Sequence, residues 1–200
     1  MGISPQVFNR IQNIIRNKSI LEFGDQQFTQ NIYTDEFKGL IANGWFKDIE
    51  KEINSKIVSV DITGRNNSLP LDLSKPIELD QQFDIVTNFG TSEHIGETIE
   101  DQVEVYKNMF KYCKRGGIII NEIPEKGHWK GHCQWYPTQH FFFDLAMGHS
   151  LLFFEKIYYE GNGNNLFSVI QKLNDNLFLP AFIHMHKSDD PVTINEYWKK

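Results

Sequence analysis

SILEFGDQQF, residues 19–28, is the stretch whose reading decides the fold. A short apolar run enters a turn at Gly24, the pattern of a first strand and binding turn in a nucleotide-binding α/β domain. Most of the glycines such a turn carries are missing, because Gly24 is followed by Asp25, Gln26 and Gln27. Three further runs share its character: KIVSVD (56–61), FDIVTNFG (83–90) and GGIIINEIP (116–124). Each is nearly continuous rather than alternating, as central parallel strands covered on both faces require. Between the last two, Ile99, Val103, Tyr106, Met109, Phe110 and Cys113 recur at helical spacing, and basic residues with a Gly pair close that helix. TDEFKGLIANGWFKDIEKEI (34–53) reads as a second helical region, interrupted near Asn43 and Gly44. LLFFEKIYYEG and NLFSVIQKLN flank the turn GNGNN and read as an antiparallel hairpin.

Strands alternating with helices predict an α/β doubly wound, mostly parallel sheet in a single domain spanning 1–200, with its core at about 19–173. Such sheets take ligands beyond the carboxyl ends of their strands. That directs attention to Glu22–Gln27, Asp61, Asn88–His94 and Glu122–Pro124. Asp61, at the end of the second strand, is placed to accept both hydroxyls of a ribose, or to close the turn DITG. Asp72, in LPLDLS after a short third strand or turn, is placed to accept an adenine amine or to lie in a solvated loop.

The series ILEFGDQ, IVSVDITGRNNSLPLDLSKP, FDIVTNFGTSEHI and YKNMFKYCKRGGIIINEIP resembles the successive motifs of class I S-adenosylmethionine-dependent methyltransferases. The resemblance covers roughly residues 19–124 in order, and the later hairpin is similar to that fold's reversed last strands. It implies a Rossmann-like, seven-stranded sheet with a C-terminal antiparallel hairpin, and S-adenosylmethionine as cofactor. On the matching positions, Glu22, Gly24 and Asp25 would hold the methionine end, Asp61 the ribose and Asp72 the adenine. Asn88, Phe89 and Gly90 would close over the methionine moiety.

The shortage of glycines counts more against a dinucleotide than against a sulfonium. A pyrophosphate needs close backbone approach, and an acidic Asp25 would repel it while tolerating a cation. Asp61 also follows Gly24 at a longer interval than the roughly 20 residues of the dinucleotide fingerprint. A nicotinamide-dependent oxidoreductase is therefore the weaker enzyme reading, and a non-catalytic, degenerate member of the methyltransferase fold is the other alternative.

Removal of a proton from a hydroxyl acceptor calls for a base near the strand ends. His94, in TSEHI, is the best placed by position; His128 and His132 follow the next strand and are rivals. His128, His132, Cys133 and His140 also invite a metal reading, but Gly127, Gly131 and Pro137 break the helix that an i, i+4 pair would need, and no metal is expected. Trp129, Trp135 and Tyr136 are candidate walls of an acceptor pocket, whereas Phe141–Phe143 read as core.

A net charge of −6 and a pI near 5.6 offer no broad basic field for nucleic acid or an anionic membrane. Asn88 is followed by Phe-Gly rather than the Pro-Pro-aromatic run of amino-methylating nucleic-acid enzymes. The acceptor is accordingly expected to be a small molecule, sugar or lipid-linked group, methylated on oxygen. Two cysteines outside any C-x-x-C motif read as reduced thiols, and no apolar run reaches the roughly 18 residues of a membrane span or forms a signal peptide. A cytoplasmic protein is expected.

Overall fold

The structure is a computed structural model describing residues 2–29 and 44–189. Helix α1 (Pro5–Ile11) opens at Ser4, whose Oγ accepts from the Val7 amide at 3.2 Å. Strand β1 (Ser19–Phe23) follows, then helix α2 (Glu50–Ile53), β2 (Lys56–Val60) and β3 (Phe83–Phe89). Helix α3 (Ile99–Tyr112) runs directly into β4 (Cys113–Pro124). Beyond it lie β5 (Trp135–Pro137), α4 (Gln139–Leu145), β6 (Ser150–Tyr159), β7 (Gly163–Gln171) and β8 (Met185–Lys187). A 3-10 turn, Phe46–Ile49, leads into α2, so the described part of the expected helical region is helical; residues 34–43 lie outside the described residues.

The central sheet has the order β2-β1-β3-β4-β7-β6. The first four strands are parallel, β7 and β6 are antiparallel additions, and β5 pairs with β8 in a separate two-stranded ribbon. Among the described residues the central sheet has six strands, one fewer than expected. In the stretch LPLDLS only Leu69 meets β2, donating to the Ser59 carbonyl at 2.8 Å and accepting from the Asp61 amide at 3.0 Å. Pro70 and Pro76, which have no amide hydrogen, cannot continue a ladder there. Helix α3 holds this segment instead: Asn108 Nδ2 donates to the carbonyls of Leu73 and Lys75, and the Tyr112 hydroxyl accepts from the Leu79 amide at 2.9 Å. The β6–β7 hairpin closes one edge of the sheet but is not the last element, because a 3-10 turn (Leu179–His184) and β8 come after it.

Alternation along the strands divides the core. Leu21, Phe23, Val86, Ile119 and Ile123 pack under α3 and α4, whereas Ile20, Ile57, Ile85, Phe89 and Ile120 pack under α1 and α2. Burial on both faces is why these strands read as unbroken apolar runs. The polar exceptions, Glu22, Thr87, Asn88, Asn121 and Glu122, are fully or almost fully buried and lie in the carboxyl-terminal halves of their strands.

Candidate active site

At the end of β1 the chain turns through Gly24, whose φ is +82° and whose amide donates to the Val60 carbonyl at 2.8 Å. A Cβ there would lie 2.3 Å from Thr91 Oγ1 and 2.5 Å from Gln26 Nε2. The Gln26 side chain folds over the turn and donates to Thr91 Oγ1 at 2.6 Å, while Thr91 donates to the Phe23 carbonyl at 2.8 Å. The turn is thus built from one glycine and two hydrogen-bonded side chains rather than from several glycines. Gln26 Oε1 is left buried without a donor.

Glu22 lies beneath this turn. Its carboxylate accepts from the Gln26 amide at 3.1 Å and from the Ser59 hydroxyl, tying the turn to β2, and burial pushes it up to about 8. Asp25, also raised by burial, sits 2.9 Å from Lys47 Nζ, a cation not foreseen at this turn. Asp61 is 8% exposed at the end of β2 and accepts from the Thr63 amide at 2.8 Å through Oδ1. Asp72 is exposed, and its Oδ1 closes a turn by accepting from the Ser74 amide and hydroxyl.

At the end of β3, Asn88 is fully buried. Its Oδ1 accepts from the Ser92 amide at 3.0 Å, and its Nδ2 donates to Ser92 Oγ at 2.8 Å and to Asn121 Oδ1 at 3.1 Å. Phe89 packs edge-on against Phe46, and the Gly90 amide donates to the Glu122 carbonyl at 2.9 Å. Asn88→Ala would orphan a buried amide and hydroxyl together. The expected loss is about 2–3 kcal/mol in urea unfolding, against a near-neutral change at exposed Asp72→Ala.

The structure brings His94 and His132 together and leaves His128 apart. The His94 and His132 rings stand edge to face with centroids 5.0 Å apart. His128 packs against Gly163 and lies 3.7 Å from Glu125. Burial holds His94 down at about 3 and lowers His132 as well, so both rings are neutral at physiological pH. Glu93, buried and raised to about 8, lies 3.9 Å from His94 Nε2. Cys133 is fully buried beside the pair. Trp135 and Tyr136 are buried too, the former donating to the Gly96 carbonyl at 3.0 Å and the latter to the Trp129 carbonyl at 2.6 Å. Phe141 and Phe142 are core, while Phe143 is 39% exposed.

No protein-family model and no curated protein matches the chain. Solved structures do. The N-methyltransferase NodS of Bradyrhizobium japonicum WM9, in complex with S-adenosylhomocysteine, superposes with a TM-score of 0.59 at 11% identity, covering 85% of this chain and 86% of its own. A Burkholderia thailandensis 1,6-didemethyltoxoflavin-N1-methyltransferase gives 0.56 at 10% identity over 84% and 78%. The O-methyltransferase of a Brevibacillus brevis trans-AT polyketide synthase gives 0.54 at 12% identity over 90% and 76%. The architecture of this chain is the one these methyltransferases share. No helix among the described residues is long and apolar enough to cross a membrane.

Proposed function

From a chain that carries the methyltransferase fold, we propose an S-adenosylmethionine-dependent methyltransferase acting on a small-molecule, glycan or lipid-linked acceptor, with oxygen as the methylated atom. The observation that carries this reading is the turn over β1. Only glycine fits at position 24, because Thr91 and Gln26 already pack where a Cβ would lie, and Gln26 Oε1 is a buried acceptor lacking a donor. Beside it, Asp25 already holds the ammonium of Lys47, so the site favours a cation. These acceptors suit the ammonium of a methionine moiety better than a pyrophosphate, which offers no hydrogen to donate and would face the Asp25 carboxylate.

In this reading Gln26 and Asp25 hold the methionine end, and Asp61 accepts from the ribose. Glu22 is a positioning residue that acts through Gln26 and Ser59 rather than by contact. Asn88, Phe89 and Gly90 form the opposite wall, with the fully bonded Asn88 fixing the direction in which the chain leaves β3. The bound cofactor supplies a methyl group on an electrophilic sulfonium. The protein's part is to hold donor and acceptor in line and to exclude water around them. His94 and His132, from two different loops, face the acceptor side, while His128 stands away from them.

Thermal unfolding with saturating S-adenosylmethionine, S-adenosylhomocysteine and NAD tests the reading. Ligand at 100 times its Kd adds about 2.7 kcal/mol, so the first two should raise Tm by roughly 5–10 °C and NAD should not. Asp61→Asn is expected to weaken cofactor binding about tenfold or more while leaving the unliganded Tm within a few degrees. A shift with NAD alone, or with none of the three, would overturn the assignment. The filling of the turn by Gln26 favours a second reading, a protein that binds the cofactor without turnover. That reading gives the same thermal shift but no S-adenosylhomocysteine with any acceptor.

A further inference from the structure

Three potential ligand groups converge where the turn after β3 meets the loop after β4, and a buried carboxyl lies beside one of them. Potential donor atoms of His94, His132 and Cys133 all lie within 4.8 Å of one another. Glu93 Oε1 is 3.9 Å from His94 Nε2. We propose that His94, His132 and Cys133, with Glu93 as the fourth ligand, form a binding site for Zn2+.

The second observation is what the protein leaves unsatisfied. Glu93 is fully buried, and apart from its own backbone amide neither carboxylate oxygen has a hydrogen-bond donor. His132 Nε2 is likewise buried without a partner. Orphaned polar atoms cost on the order of 1–3 kcal/mol each, and more for a charged group, unless something fills the space between them. A dication removes that cost at several atoms together.

The backbone holds the two loops in register for this purpose. The Gln134 amide donates to the Glu93 carbonyl at 3.0 Å, and the Cys133 amide donates to the Tyr136 hydroxyl at 2.9 Å. The His132 amide donates to the Trp129 carbonyl at 3.0 Å, closing the turn that presents the ring. Zinc bonds of about 2.0–2.3 Å in a tetrahedron set ligand atoms roughly 3.3–3.8 Å apart. Within the His94, His132 and Cys133 set, where the atoms lie within 4.8 Å of one another, the longest separation therefore has to shorten by about an ångström, and the Glu93 side chain has to swing in from its place beside His94.

Two imidazoles with a thiolate suit zinc, whereas magnesium and calcium prefer all-oxygen sets. Thiolate and carboxylate together balance the ion's charge, and binding releases the thiol proton, and that of Glu93 where it is protonated, to solvent. Four protein ligands make a closed site, which clamps the acceptor-side loop to the end of β3 instead of offering an open position. The site rests on side-chain placement alone, so metal content and methyl transfer are read independently.

The test is metal analysis of the full chain purified without chelator, followed by cobalt substitution of the wild type. The expected result is about one zinc per chain, and a thiolate-to-cobalt charge-transfer band in the near ultraviolet. Cys133→Ser should abolish the band and weaken zinc binding more than about 100-fold, beyond what outer-shell partners contribute. Glu93→Gln should keep the band and lose zinc faster to a chelator. His140→Ala, at the separate His140–His184 pair, should change nothing. Absence of a charge-transfer band in cobalt-loaded wild type overturns the proposal whether or not the variants fold, and so does zinc that His140→Ala removes.

Discussion

Glu22→Gln should be more stable than the wild type at pH 8 by on the order of 4 kcal/mol, and close to it at pH 4.5. The fully buried carboxyl titrates at about 8 in the folded chain, against an ordinary value of 4.5, with burial as the largest cause. Below 4.5 it is protonated in both states, and its neutral hydrogen bonds contribute in full. As pH rises the unfolded chain releases the proton while the folded chain keeps it, so stability falls between about 4.5 and 8 and levels off above. Glutamine carries no such proton, can still accept from the Gln26 amide and can donate to Ser59. Glu122, raised by burial and bonded to Tyr159 and Asn165, gives the wild type a slope of the same sign that cancels in the comparison. Urea unfolding of both proteins at pH 5 and pH 8 measures the difference; an equal gap at the two values would mean that Glu22 is ionised in the fold.

Gly24→Val should lower Tm by roughly 6–12 °C and remove the shift given by S-adenosylmethionine. The φ of +82° puts a β-branched residue in a region that costs on the order of 1–2 kcal/mol by itself. Its Cβ would also fall 2.3 Å from Thr91 Oγ1 and 2.5 Å from Gln26 Nε2, side chains already bonded to each other. Together these amount to about 3 kcal/mol, at 2–4 °C per kcal/mol for a chain of this size. Gly24→Ala meets the same atoms and serves as the milder variant if the valine does not fold. An unchanged Tm in both would show that Gln26 and Thr91 move aside readily, and the turn would lose its claim to be a preformed seat.

Sequence reading located the strands well because local and tertiary demands coincide there. An unbroken run such as FDIVTNF has few other places to go than between two covering layers, and Thr98 with Asp101 caps α3 as a local signal should. The stretch LPLDLS, which makes only a single bridge at Leu69, shows where that coincidence ends. Leu69 and Leu71 have strand-like neighbours, but two prolines and a helix offering side-chain hydrogen bonds decide the outcome. The site was readable only along single elements. Asp61 and Gly24 stand at strand ends and were visible as such. Lys47 reaches Asp25 from the far side of a long insertion, and His94 meets Cys133 across two loops. Spacing along the chain carries no trace of either meeting.

The segment between β2 and β3 has a consequence for how this chain tolerates change. Its backbone is gripped from outside: Asn108 takes two carbonyls, the Tyr112 hydroxyl donates to the Ile77 carbonyl at 2.6 Å, and Lys111 Nζ reaches that same carbonyl at 2.9 Å. The instructions for its path are therefore written in α3, some thirty residues downstream, and an exposed side chain such as Asp80 is nearly free to drift. Variation among natural or laboratory variants should fall on the loop's exposed positions and spare the helix face that holds it.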